Sequence, residues 1–145
     1  MNEVTAPDRP TREQIERLQS AMLKLPQAAL ETKHYWADGM YCRELFRPAG
    51  TTIVGKVHRK EHFLIVVSGT IRVWTEAGMK TVSAPFVWVS KPGTKRATHA
   101  LTDATVLTVH RCAETDMEAL EKELVEPFDG PYLPGNTLKA LESDS

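Results

Sequence analysis

From Lys33 to His110 the chain repeatedly switches from a short run of alternating side chains to a turn signal and back. The runs are His34 to Trp36, Met40 to Phe46, Thr52 to His58, His62 to Val67, Thr70 to Glu76, Met79 to Ser83, Phe86 to Val89, Arg96 to Ala100 and Ala104 to His110. Ala37-Asp38-Gly39, Arg47-Pro48-Ala49-Gly50, Ala77-Gly78 and Lys91-Pro92-Gly93 punctuate them. A period of two places successive side chains on opposite faces, which suits half-buried strands and not helices. Short strands with a turn every eight to twelve residues or so predict an antiparallel sandwich or barrel.

The flanks read differently. Thr11-Arg12-Glu13-Gln14 is a capping-box pattern, and Ile15, Leu18, Met22 and Leu25 recur at helical spacing before Pro26, so a helix is expected over 11–25. Thr115-Asp116-Met117-Glu118 repeats the pattern and opens a second expected helix over 115–125, with Met117, Leu120 and Leu124 on one stripe. Residues 1–10 read as a loose lead. Residues 127–145, rich in Pro and Gly, read as an extended arm or a disordered tail. One domain over 11–126, with the barrel at 33–110, follows from a length of 145 residues and 41% hydrophobic content. A net charge of −1 argues against a generally cationic nucleic-acid binder. No apolar run is long enough to span a membrane, and the first residues carry neither the basic nor the apolar part of a secretory signal. Two cysteines, Cys42 and Cys112, are too few for a disulfide framework and read as buried thiols. A cytoplasmic protein is the expectation.

The stretch with chemical content is Gly50 to Gly69, GTTIVGKVHRKEHFLIVVSG. Read as strand, turn and strand with Arg59-Lys60-Glu61 in the turn, it pairs His58 with His62. Cross-strand partners have Cβ atoms about 4.5–5.5 Å apart, near enough for two imidazoles to share a metal ion.

The intervals Gly50, Lys56, His58, His62 and Gly69 also resemble the first signature of the cupins, small double-stranded β-helix proteins, and the wording from about Gly39 to Glu123 is similar to small stand-alone cupins of phage and bacterial genomes. The signature runs glycine, five residues, histidine, one residue, histidine, three or four residues, glutamate, six residues, glycine. Lys56 stands where the first histidine would be, and His62 where the glutamate would be. In the second signature Arg96 takes the place of a histidine, and arginine has no lone pair to give a metal. The resemblance implies an all-β jelly-roll barrel, frequently homodimeric, with a metal-binding pocket. A site of that kind needs a third protein ligand. If Leu101 to Ala104 turn between two paired strands, His110 lies beside Arg96, and it is preferred over His99, which a regular strand points to the other face.

Three neutral imidazoles suit Fe, Zn, Ni, Co or Cu, and spacing does not choose among them; a metal-free barrel is the alternative. In the cupin frame Lys56 and Arg96 point into the cavity and could hold a small anion, since arginine grips carboxylate and phosphate well. Glu44 is a candidate base or counter-charge, and Glu61 alternates outward. The leading expectation is a metal-binding cupin that takes a small anionic molecule and could use the metal for oxidation, isomerisation or hydrolysis. The alternatives are a metal-free binding or sensor module and a phage-associated, oligomerising structural protein. No membrane and no nucleic-acid partner is expected.

Overall fold

The computed structural model describes residues 11–22, 24 and 30–126. The expected lead at 1–10, the arm at 127–145, and the end of the first helix around Leu25 and Pro26 lie outside the described residues. In chain order the elements are α1 (Arg12–Met22), β1 (Thr32–Ala37), β2 (Met40–Arg47), β3 (Thr52–Val54), β4 (His62–Ser68), β5 (Thr70–Thr75), β6 (Gly78–Ser83), β7 (Phe86–Ser90), β8 (Ala97–Ala100), β9 (Ala104–Arg111) and α2 (Met117–Leu124). The strands form two antiparallel sheets, β1-β2-β9-β4-β7 and β3-β8-β5-β6, so the all-β jelly-roll expectation holds.

Strand positions follow the period-two reading closely, but two expected pairings do not form. β3 stops at Val54 and pairs with β8, while β4 pairs with β7 and β9. The segment 55–61 is therefore a crossing between sheets, not the end of a hairpin. Likewise β8 and β9 are separated by three residues yet lie in opposite sheets. Asp103 helps hold that corner, its carboxylate accepting the Ala49 N–H at 2.8 Å. A short connection brings strand ends together, but it does not decide whether they pair side by side or turn a corner. β5 and β6 do form a hairpin at the Ala77-Gly78 turn signal, with Thr70 opposite Ser83 and Thr75 opposite Gly78.

Two glycines of the matched signature have a backbone reason. Gly50 and Gly69 sit at φ +89° and +85°, where a side chain strains the chain. At Gly69 an added Cβ would also fall 2.1 Å from the Asp103 carbonyl oxygen, so a side chain there requires the corner to move.

The main apolar core lies between the sheets: Leu64, Val66, Ile71, Val73, Val82, Ala100, Ala104 and Val106. The capping box of α1 forms as read, with the Gln14 N–H donating to Thr11 Oγ1 at 3.0 Å and the Thr11 N–H to Gln14 Oε1 at 2.8 Å. Its buried stripe is Ile15 and Gln19 with half-buried Met22, packed towards Val54 and Ala97; Leu18 lies off the stripe and is exposed. At α2 the cap is Asp116 and not Thr115, its carboxylate accepting the Ala119 N–H at 3.0 Å. Leu120 and Leu124 pack on Tyr41 and Cys112, while Met117 stays exposed. The end of α2 is stitched to the crossing segment: Arg59 N–H donates to the Leu124 carbonyl at 2.7 Å and Glu126 N–H to that of Val57 at 2.8 Å. The last element of the chain, α2, thus closes over the segment that carries His58.

Candidate metal centre

Three histidines converge at one end of the barrel. On β4 the inward positions are His62, Leu64 and Val66, and on β9 they are Ala104, Val106, Thr108 and His110. Phe63 pairs with Val109, and one step further along that register brings His62 beside His110; their ring centroids are 4.5 Å apart. His58 comes from the crossing segment. Its carbonyl accepts the Gly93 N–H at 2.9 Å, and it makes an isolated antiparallel bridge with Val125. These anchors bring its ring to 4.4 Å from that of His62 and 5.1 Å from that of His110. All three are buried, and one nitrogen from each lies within 4.8 Å of the other two. Nitrogens bound tetrahedrally to one ion at about 2.0–2.1 Å stand roughly 3.4 Å apart, so the rings need close by little more than 1 Å at most.

The hydrogen bonding fits a ligand role. His62 Nδ1 is 3.2 Å from the Lys60 carbonyl. A carbonyl only accepts, so Nδ1 carries the proton and Nε2 holds a lone pair. That Nε2 is buried and has no hydrogen-bond partner among the described residues, which is costly for a polar atom and ordinary for a metal ligand whose other nitrogen is held by a carbonyl. His110 Nε2 is 2.9 Å from Thr108 Oγ1. Electrostatics keep the rings neutral, as metal ligation requires. Burial, then the Arg96 guanidinium, push His62 down to about 4, with the Lys60 carbonyl opposing. Burial, then His62, Arg43 and Arg96, push His110 down to about 2. Burial and the same neighbours hold His58 well below the ordinary histidine range.

Beside the histidines is a cavity of about 40 Å³, lined on one side by Arg43 and Arg47 and on the other by Arg96, with His58 at its edge and Leu45, Ile53, Leu64 and Val106 among its walls. Arg96, just before β8, donates to Ser90 Oγ, and Ser90 is the register partner of His62. Arg47 is 7% exposed and donates from Nη1 to Thr98 Oγ1 at 2.5 Å. Burial, then Arg96 and Arg43, push it down to about 9, which leaves it protonated at neutral pH.

The other sequence candidates lie elsewhere. His99, the alternative third ligand, is on β8 with Nδ1 2.7 Å from Thr52 Oγ1, outside the cluster. Lys56 is buried but faces Glu121 of α2, with which it forms an ion pair; it does not line the arginine cavity. Glu44 does not reach the site: it alternates with buried Arg43 and Leu45 and accepts from the Tyr35 hydroxyl at 3.1 Å on the outer face. His34 Nδ1 is 2.7 Å from the Tyr41 hydroxyl. The loop cations are engaged with surface acids, Lys60 with Glu123 at 2.5 Å and Lys91 with Glu61 at 2.7 Å. Arg43 and Arg47 were missed from sequence. The available signal was parity, since both share a strand face with Tyr41 and Leu45.

No family model matches the sequence, and no curated protein is similar to it in sequence. Solved structures are similar in fold. KdgF from Halomonas sp. superposes with a TM-score of 0.55 at 18% identity, over 63% of this chain and 87% of that one. An ectoine synthase from P. lautus gives 0.55 at 13%, over 76% and 86%. The Schizosaccharomyces pombe Cnp3 cupin domain gives 0.52 at 13%, over 61% and 64%. The chain has the cupin fold. It is a small cupin-fold protein in which three buried histidines could hold a metal ion. Among the described residues no helix is long and apolar enough to cross a membrane.

Proposed function

We propose that this chain is a metal-binding cupin that takes a small anionic molecule into its barrel. The observation that carries the reading is the buried, partnerless Nε2 of His62 among three histidine nitrogens. His58, His62 and His110 would hold one divalent transition metal, Fe, Zn, Ni, Co or Cu, leaving at least one position for water or ligand. Bound there, such an ion polarises a coordinated oxygen. The chain itself supplies the surroundings: Arg96, held by Ser90, sets a positive field beside His62, and the Lys60 carbonyl fixes that ring's tautomer. Elemental analysis of untagged protein tests the reading. About one ion per chain is expected, falling below about a tenth in a His58→Ala, His62→Ala double variant. No uptake by wild type after loading with Fe(II), Zn(II), Ni(II), Co(II) or Cu(II) would leave the metal-free binding module as the better description.

A homodimer through the outer face of the five-stranded sheet is part of the proposal. The register lines up Cys42, Val109, Phe63 and Val89 in one row and Glu44, Leu107, Ile65 and Val87 in the next. Phe63, Val87 and Val89 are 48%, 60% and 45% exposed, an apolar surface of the kind that subunit contacts cover. Light scattering is expected to give a dimer for wild type and a folded monomer for Phe63→Lys; a wild-type monomer at high concentration would refute it.

A further inference from the structure

The cavity's second half points to the class of anion. Arg47 reaches in from β2 of the five-stranded sheet, and Arg96 enters from the strand-end of the four-stranded one. Arg47 bonds Thr98 and Arg96 bonds Ser90, both neutral hydroxyls. Arg47 Nε is buried with no hydrogen-bond partner among the described residues. Arg43 lines the same wall, and no Asp or Glu is among the described residues that line the cavity. Like charges lining one cavity repel, and a buried cation is retained at a cost unless an anion meets it. The surrounding charges say the same, because the neighbours that act on Arg47 are the two other guanidiniums and no carboxylate.

We propose that Arg47 and Arg96, on facing walls, grip a small dianion, a short dicarboxylate or a phosphate-type oxyanion, beside the histidine centre. The proposal deepens the anion reading above but does not depend on the metal. Guanidinium forks match the paired oxygens of either head group. A monocarboxylate can satisfy one fork and leaves the other unmet. The cavity is small, about 40 Å³, which favours a short ligand over a long one.

Thermal-shift measurements on protein stripped with EDTA decide the matter, with acetate, malonate, succinate, inorganic phosphate and sulfate at equal ionic strength. The dianions are expected to raise Tm by about 5 °C or more at a hundredfold excess over Kd, and acetate by much less. The better of the dicarboxylates and the inorganic oxyanions identifies the head group. Arg47→Met is expected to abolish the dianion shift while raising the Tm of the ligand-free chain, because it removes an uncompensated charge at similar volume. If that variant does not fold, Arg47→Lys serves, with the dianion shift reduced severalfold. Equal shifts from acetate and the dianions, no shift from any anion, or a dianion shift retained in the Arg47 variant would overturn the proposal. Because no metal is present, failure here is separate from failure of metal uptake: a metal-binding chain without the anion response keeps the first reading and loses this one.

Discussion

The two ends of the barrel interior are built on the same strands with opposite chemistry. Going along β4 from Val66 and Leu64, the inward side chains reach His62; going along β9 from Ala104 and Val106, they reach Thr108 and then His110. The apolar end is closed by Ile71 and Val73 of β5 and Val82 of β6, which pack with Leu64, Val66, Ala100, Ala104 and Val106. The other end places three histidines, Arg43 and Arg47 in comparable burial, with Arg96 half-buried beside them. Burying apolar surface contributes about 25 cal/mol per Å², whereas a buried cation or lone nitrogen contributes nothing until something binds it. On the function proposed above, one end supplies stability and the other binding. Sharing strands, the binding end can keep its costly residues only because the apolar end holds the register that places them.

Ile71→Ala tests that division at its strongest point. Ile71 is fully buried in the apolar cluster, and truncating such a side chain removes transfer energy and leaves a cavity, for a cost of 2–5 kcal/mol in order of magnitude. Urea unfolding is expected to show a loss in that range, with metal bound per folded chain unchanged. A cost below about 1 kcal/mol, or a matching fall in metal stoichiometry, would show that the two ends are not separable.

The contrast also explains what could be read from sequence. Alternation located the strands, because burial on one face repeats every second residue whatever sheet the strand joins. Cross-strand pairing gathered His58 and His62, and the cupin resemblance called for the third ligand that His110 supplies as a candidate, although His110 reaches the other two through the β9–β4 ladder and not through a β8–β9 hairpin. Sheet membership was not legible: a three-residue corner such as Leu101 to Asp103 has the composition of a hairpin turn. The face of β2 was ambiguous for a different reason. Met40, Cys42 and Phe46 on one side look more like core than Tyr41, Arg43, Leu45 and Arg47 on the other, yet the second set is buried. An apolar outer face and a charged inner one invert the usual rule, which hid Arg43 and Arg47. The partner of Lys56 was out of reach because Glu121 lies 65 residues along the chain, and no periodicity links them.

Acidification probes the binding end alone and gives the smaller effect. In the metal-free chain His62 is held down to about 4 by burial and by Arg96, while in the unfolded chain it titrates near 6.5. Above 6.5 the ring is neutral in both states and contributes no pH dependence. As pH falls below 6.5 the unfolded state takes up the proton first, so the native state loses stability down to the folded value near 4 and no further from this group. The slope is at most about 1.4 kcal/mol per pH unit for one histidine, or about 2 kcal/mol between pH 6.5 and 5. His58 and His110, lowered by burial as well, steepen the same limb. Urea midpoints of EDTA-treated protein are therefore expected to fall across this window, and less steeply for His62→Leu, while Ile71→Ala keeps the wild-type slope at lower overall stability. Equal slopes for wild type and His62→Leu would mean that the ring is solvated and charged, and that the polar end of the barrel is open to water and not the dry pocket that sets it apart from its neighbour.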